Sequence, residues 1–262
     1  MINVEIVIKD IQYEKSFEKL FPMGIEKCKK MENPNLAVRF LLKMGDASMT
    51  AALGILNLAD ERSKNELLCG LTNLYCQEIQ SALNVFLQED ELGKNIQIGN
   101  IYMVSDDEEC LSFKGRNIWV NYSSLAKNDI VRQKIGDYAS ERVKKSKFGE
   151  SRLLQRIAAG GACLAAEVAT EIVPQEVEKK VLSIMNKAEN KDRLLKMAER
   201  VLEDKGLYLK LEDFMFVQED AQEIQYSMDE ESERERKFVL SPETEEGLLD
   251  AVVGYLKQKL EE

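Results

Sequence analysis

Two glycines, Gly93 and Gly206, mark points where the chain changes period. Upstream of each, apolar residues recur every third or fourth position, as on a helix buried along one side. Downstream, apolar and polar residues alternate, as on a half-buried strand. Placing one glycine on the other aligns GKNIQIGNIYMVSDD with GLYLKLEDFMFVQED without a gap. Ile96 falls on Leu209, Ile98 on Leu211, Ile101 on Phe214, Met103 on Phe216, Val104 on Val217 and Asp107 on Asp220. The agreement is one of pattern more than identity, and a similar element order without duplication is the competing reading.

The flanking elements extend the match. Small-residue stretches at Met44–Ser48 and Ala159–Cys163 lie at similar distances upstream, and a strand followed by a capped helix comes after both Asn117 and Lys237. Val4–Phe21 also overlays Ile118–Ile135, so a unit of about 114 residues is used twice, with a closing strand and helix that resemble the start of a third. Solenoid repeats are far shorter, at about 20–50 residues. The expected fold is therefore α+β and helix-rich, an internal duplication of two pseudo-equivalent halves, each with several helices and a short antiparallel strand meander. The halves divide at 1–122 and 123–262, with the helix expected from Ser124 to Lys147 shared between them.

Individual elements follow from local signals. Ile2, Val4, Ile6 and Ile8 alternate as a strand, and a helix from about Tyr13 to Met31 is expected to break or kink at Pro22. Asn33-Pro34 reads as a helix start, and Asp46 as the cap of a short helix. Leu67, Leu71, Leu74, Ile79, Leu83 and Leu87 predict one long helix over about 60–88. Three short strands in a meander follow Gly93, with turns at Asp106–Glu109 and Lys114–Arg116. A further strand is expected at Lys237–Leu240, and Ser241-Pro242 opens the last helix.

Composition narrows the function. The 262-residue chain has no histidine, which removes Ser-His-Asp, Cys-His and HExxH chemistry from within it. Its net charge of -11 opposes phosphate backbones and anionic lipid surfaces, so no nucleic-acid partner is expected. No transmembrane segment is expected either, since the most apolar stretch, Ile157–Ala166, falls short of the roughly 20 residues that span a bilayer. Cys28, Cys69, Cys76, Cys110 and Cys163 make an odd set without CxxC spacing, and no signal peptide is evident, which together suggest a cytoplasmic protein.

Four sets of residues are candidates for chemistry. The acidic turns Asp106-Asp107 and Glu219-Asp220 would supply carboxylate oxygens for a hard divalent cation if a pseudo-two-fold brought them together, although solvated hairpin turns are the better reading. Gly45, Asp46 and Ser48, and Gly160 and Gly161, precede helices whose exposed amides could receive an anion, although close helix packing is the simpler role for such small residues. Tyr102, Trp119 and Tyr122 could wall a ligand or pack within the sheet. The run DEESERER from Asp229 to Arg236 reads as a hydrated loop or a partner-contacting arm.

No phosphate loop, metal spacing or cofactor motif is present, so no cofactor is indicated. The expected function is a non-catalytic binding or scaffold module acting through the cleft between its halves, with a protein partner or self-association. The alternative is a carboxylate-dependent enzyme using a divalent metal, or a small-molecule binder.

Overall fold

The structure is a computed structural model that describes residues 2–32, 34–46, 48–91, 93–105, 110–116, 118–121, 182–183, 185–218, 238 and 240–261. In chain order the described elements are β1 (Ile2–Ile11), α1 (Tyr13–Cys28), α2 (Leu36–Asp46), α3 (Met49–Leu58), α4 (Glu61–Asn73) and α5 (Cys76–Glu89). A 3-10 turn (Gly93–Asn95) leads into β2 (Ile96–Gln97), β3 (Asn100–Ser105), β4 (Leu111–Arg116) and β5 (Trp119–Val120). Last come α6 (Ala188–Asp204), β6 (Leu209–Gln218) and α7 (Pro242–Glu261). Helices beside small antiparallel sheets make this an α+β protein.

The main sheet has four strands in the order β3-β4-β1-β6, all neighbours antiparallel, while β2 and β5 form a separate pair. β1 sits inside the sheet because it is long and alternates cleanly. Val4, Ile6 and Ile8 enter the core while its backbone pairs with a strand on either side. Ile6 lies opposite Phe113 of β4 and Phe214 of β6, and Val4 opposite Gly115 and Phe216. On the outer pair, Met103 faces Phe113 and Ile101 faces Gly115.

These registers repeat under one exchange. Swapping β4 with β1 and β3 with β6 carries Met103–Phe113 onto Phe216–Val4, Ile101–Gly115 onto Phe214–Ile6, and Val4–Gly115 onto Phe113–Ile6. The pattern centres on the Glu5–Lys114 pair. It departs from an expected self-contained meander in each half, because the described strand of the second half, β6, pairs with β1 from the first. The segment expected as its partner, Lys237–Leu240, is not a strand at its described positions Phe238 and Leu240.

That segment packs on helices instead. Phe238 lies so close over Gly70 of α4 that a Cβ there would come within 2.2 Å of its ring. Asn35 donates to the Phe238 carbonyl at 2.6 Å. Ser241 then donates its N–H to Glu66 Oε2 at 2.9 Å and its hydroxyl to Oε1 at 2.8 Å, while its Oγ accepts from Thr244 N–H at 3.2 Å to cap α7. α7 settles on α3 and α4 through Thr244, Leu248 and Ala251, with Tyr255 against Gly54.

Among the helices, α1 runs through Pro22 without a break, since Phe17, Leu20, Phe21 and Cys28 keep one face buried across it. α2 starts after Asn35, whose carbonyl oxygen Oδ1 accepts from Val38 N–H at 2.9 Å, so the cap lies beyond the expected Asn33-Pro34. Asp46 ends α2 rather than capping α3; Ser48 does that by accepting from Ala51 N–H at 3.2 Å. The single helix expected over about 60–88 is two, broken at Leu74 and Tyr75. Asn73 turns its carboxamide onto β3, donating to the Met103 carbonyl at 2.9 Å and accepting from the Met103 N–H at 2.7 Å. Lys27 fills the break, donating to the Leu74 carbonyl at 2.5 Å and to Glu78 at 2.7 Å, with its ammonium 4.0 Å from the Tyr75 ring centroid.

Asn186, just before α6, makes the Asn73 contact again, bonding the Phe216 carbonyl at 2.8 Å and its N–H at 2.9 Å. α5 and α6 pack together over the sheet through Leu83, Leu87, Leu194 and Ala198. β4 extends through Lys114–Arg116, where a turn was expected. The expected helix at Ser124–Lys147 and the charged run Asp229–Arg236 lie outside the described residues, while Leu182 and Met185, ahead of α6, are buried. No helix among the described residues is long and apolar enough to cross a membrane.

Candidate functional site

α6 has two working faces. Leu194, Ala198, Val201 and Leu202 enter the core, while Lys196, Glu199, Arg200 and Glu203, at i, i+3, i+4 and i+7, form a charged row beside them. The helix ends in a Schellman-type turn, with Gly206 at φ +88 and Leu207 N–H bonded to the Leu202 carbonyl at 2.8 Å. Glycine is required there for its backbone angle and because a Cβ would come within 2.9 Å of Lys19. The turn sends the chain back along α6 as Tyr208, Leu209 and Lys210.

Tyr208 is pinned to the β1–α1 corner. Its carbonyl accepts from Gln12 N–H at 2.9 Å, and its own N–H donates to the hydroxyl of buried Ser16 at 3.0 Å. The result is an open cleft of about 380 Å³, lined by Gln12 from the first stretch of chain and by the α6 row, Tyr208, Leu209 and Lys210 from the second. Glu199 is fixed within it, accepting from Leu211 N–H at 3.0 Å and facing Lys210 Nζ at 3.5 Å. Lys15 lies 5.7 Å from the Tyr208 ring centroid.

This volume is large enough for a small ligand, but such sites are mostly apolar with a few polar groups. Here the lining has three cations, two carboxylates, an amide and a phenol against one leucine. Alternating charges on an open floor suit a polar segment of another chain better than a small organic molecule. No group of three or more His, Cys, Asp or Glu among the described residues is placed to hold a metal ion.

At the seam between α5 and α6, Leu83, Phe86, Leu87, Ile98, Leu194, Met197, Ala198 and Phe214 enclose about 10 Å³. That is about the space of one water-sized probe, and the walls offer water no polar partner. The seam is thus a packed core.

The residues singled out by sequence are dispersed. Gly45 lies inside α2, where a Cβ would come within 2.5 Å of Ile25, a close helix contact; Asp46 is the last residue of α2 and Ser48 caps α3. Tyr102 on β3 is buried, with Arg116 5.7 Å from its ring centroid, whereas Trp119 on β5 belongs to the other sheet and is 72% exposed. Tyr122, Gly160, Gly161, Asp106, Asp107, Glu219 and Asp220 lie outside the described residues. The α6 row was readable as period-3.6 charge beside the apolar stripe, but only the return of Tyr208 beside Gln12 makes it a cleft.

Compared with known proteins, the chain matches no family, no curated protein and no solved structure.

Proposed function

We propose that the protein is a cytoplasmic, non-catalytic binding or scaffold module that engages a polar segment of a protein partner through the Gln12–Tyr208–α6 cleft. The observation that carries this reading is the composition of that cleft: contributed by both stretches of chain, open, and lined by charges of both signs. The apolar seam between α5 and α6 supports it, because its packing leaves only about 10 Å³, too little for a substrate.

The two halves descend, in this reading, from an internal duplication. Support comes from Asn73 and Asn186, which bond Met103 and Phe216 in the same bidentate way. Both asparagines and both strand residues are related by the offset that carries Gly93 onto Gly206. The exchange symmetry of the strand registers supports it again.

The test is a comparison of the natural chain with a Lys196→Glu, Arg200→Glu variant, both side chains being exposed and free of a role in the core. The variant is expected to melt as the natural chain does and to lose the partner that the natural chain recovers from a lysate. Equal recovery would remove the cleft from the proposal. A rise in melting temperature with any divalent cation or nucleotide would overturn the reading of the protein as a non-catalytic module for a protein partner.

A further inference from the structure

Among the described residues, α7 is anchored on one side only. Thr244, Leu248 and Ala251 are buried on α3 and α4, while Leu249, Val253, Leu256 and Leu260 stand exposed along another face. These four form an i, i+4, i+7, i+11 row, the spacing of a helix–helix seam. Leu260 is 87% exposed and the others about half. Isolated exposed leucines are ordinary on protein surfaces; a continuous row is a contact surface.

The charges on α7 indicate what covers it. Glu243, Glu245, Glu246 and Asp250 occupy its first half, and Lys257, Lys259 and the terminal Glu261 its second. Another α7 laid parallel would set acid against acid. Laid antiparallel, with Val253 of one copy against Leu256 of the other, it sets each acidic first half beside the half that carries both lysines. Asp250 and Lys257 flank the same edge of the row, so each would approach its opposite in the second copy, twice per pair. We propose that this face of α7 binds the same face of a second copy of the chain, antiparallel, making a two-fold dimer.

The contact is small. At about 1.5 Å per residue the row is about 17 Å long, which is less than a standard interface of about 800 Å² per partner would need from one helix. The dimer is therefore weak and forms as concentration rises. It does not depend on the α6 cleft, and Lys196→Glu, Arg200→Glu chains should dimerise as the natural chain does.

Sedimentation of the full chain from micromolar to several hundred micromolar tests this. The expected result is a mass rising from 29.9 kDa toward twice that value. Leu256→Glu should remain monomeric at every concentration with unchanged thermal melting. Asp250→Lys should weaken the dimer about tenfold, and adding Lys257→Asp should restore it. A natural chain that stays monomeric throughout, or a dimer that survives Leu256→Glu, overturns the proposal. So does a charge exchange that fails to restore association, because the antiparallel arrangement requires it to.

Discussion

Arg193 of α6 grips both carboxylate oxygens of Asp90, the residue that closes α5, while Gly93 N–H donates to Asp90 Oδ1 at 2.8 Å. One buried carboxylate thus ends a helix, starts the next turn and ties α5 to α6. Asp90→Ala would strand the buried Gly93 N–H as well as the guanidinium, and is expected to cost about 2–3 kcal/mol. Arg193→Ala, at a half-exposed side chain, should cost about 1 kcal/mol. Urea denaturation of both variants and of the double variant checks the difference; equal losses would mean that the Gly93 bond contributes nothing.

Asn73→Ala and Asn186→Ala each remove the side-chain partner of both the N–H and the carbonyl of one strand residue, Met103 and Phe216 respectively. Each is expected to lose about 1–3 kcal/mol of stability and to speed amide exchange at Met103 or Phe216 respectively. Aspartate at either position can accept from the N–H but cannot donate to the carbonyl, so Asn→Asp should rescue little. Hydrogen exchange followed by mass spectrometry reads both sites in one experiment.

Gly70→Ala pushes a methyl group into the Phe238 ring. About 1–3 kcal/mol of destabilisation is expected, the usual range for overpacking. In a Phe238→Ala background the same substitution should cost clearly less, because the atoms it displaces are gone. An unchanged cost in that background would locate the strain elsewhere on α4.

Acid should release α7 early. Burial by itself would raise the Glu66 carboxyl, but bonds from the Ser241 N–H and hydroxyl, with Thr244 and Arg62, outweigh it and hold the group below its ordinary 4.5. A folded-state value below the unfolded one stabilises the folded chain above the unfolded pKa. That contribution is lost as pH falls from about 4.5 through the depressed folded value. Limited proteolysis around Ser241 should therefore accelerate below pH 4, and Glu66→Gln should be more susceptible near neutrality while losing this acid step.

Thiol labelling should separate the cysteines by depth. Burial, with the Glu66 charge nearby, pushes the Cys69 thiol up, and burial raises Cys28 likewise. Cys110 is exposed. A disulfide reagent is expected to modify Cys110 in the native protein and to reach Cys28 and Cys69 only as the chain unfolds. Peptide mapping after brief labelling identifies the sites.

Much of the sheet was legible from period alone, since β3 and β6 stand where alternation begins after Gly93 and Gly206. The break between α4 and α5 was not. The apolar stripe from Leu67 to Leu87 runs straight across it, and no periodicity reveals that Asn73 bonds a strand 30 residues onward. Phe238 misled in the opposite sense, because local alternation resembled a strand while the preference was set by a glycine on α4. The cleft was hidden for a related reason: a charged helical row is ordinarily just the solvated face, and its neighbour Gln12 belongs to the far end of the sequence.

The place of β1 inside the sheet bears on how the protein is made. β1 leaves the ribosome well before β6, which pairs with one of its edges; Ser16 and its partner Tyr208 are 192 residues apart. At about 5–20 residues per second, synthesis takes about 10–40 s to cover that distance. During that interval the nascent chain carries an open, apolar-backed strand edge, the surface that holding chaperones and neighbouring nascent chains compete for. The yield of folded protein in a cell should thus depend more on the pace of translation between β1 and β6 than on the stability of the finished molecule.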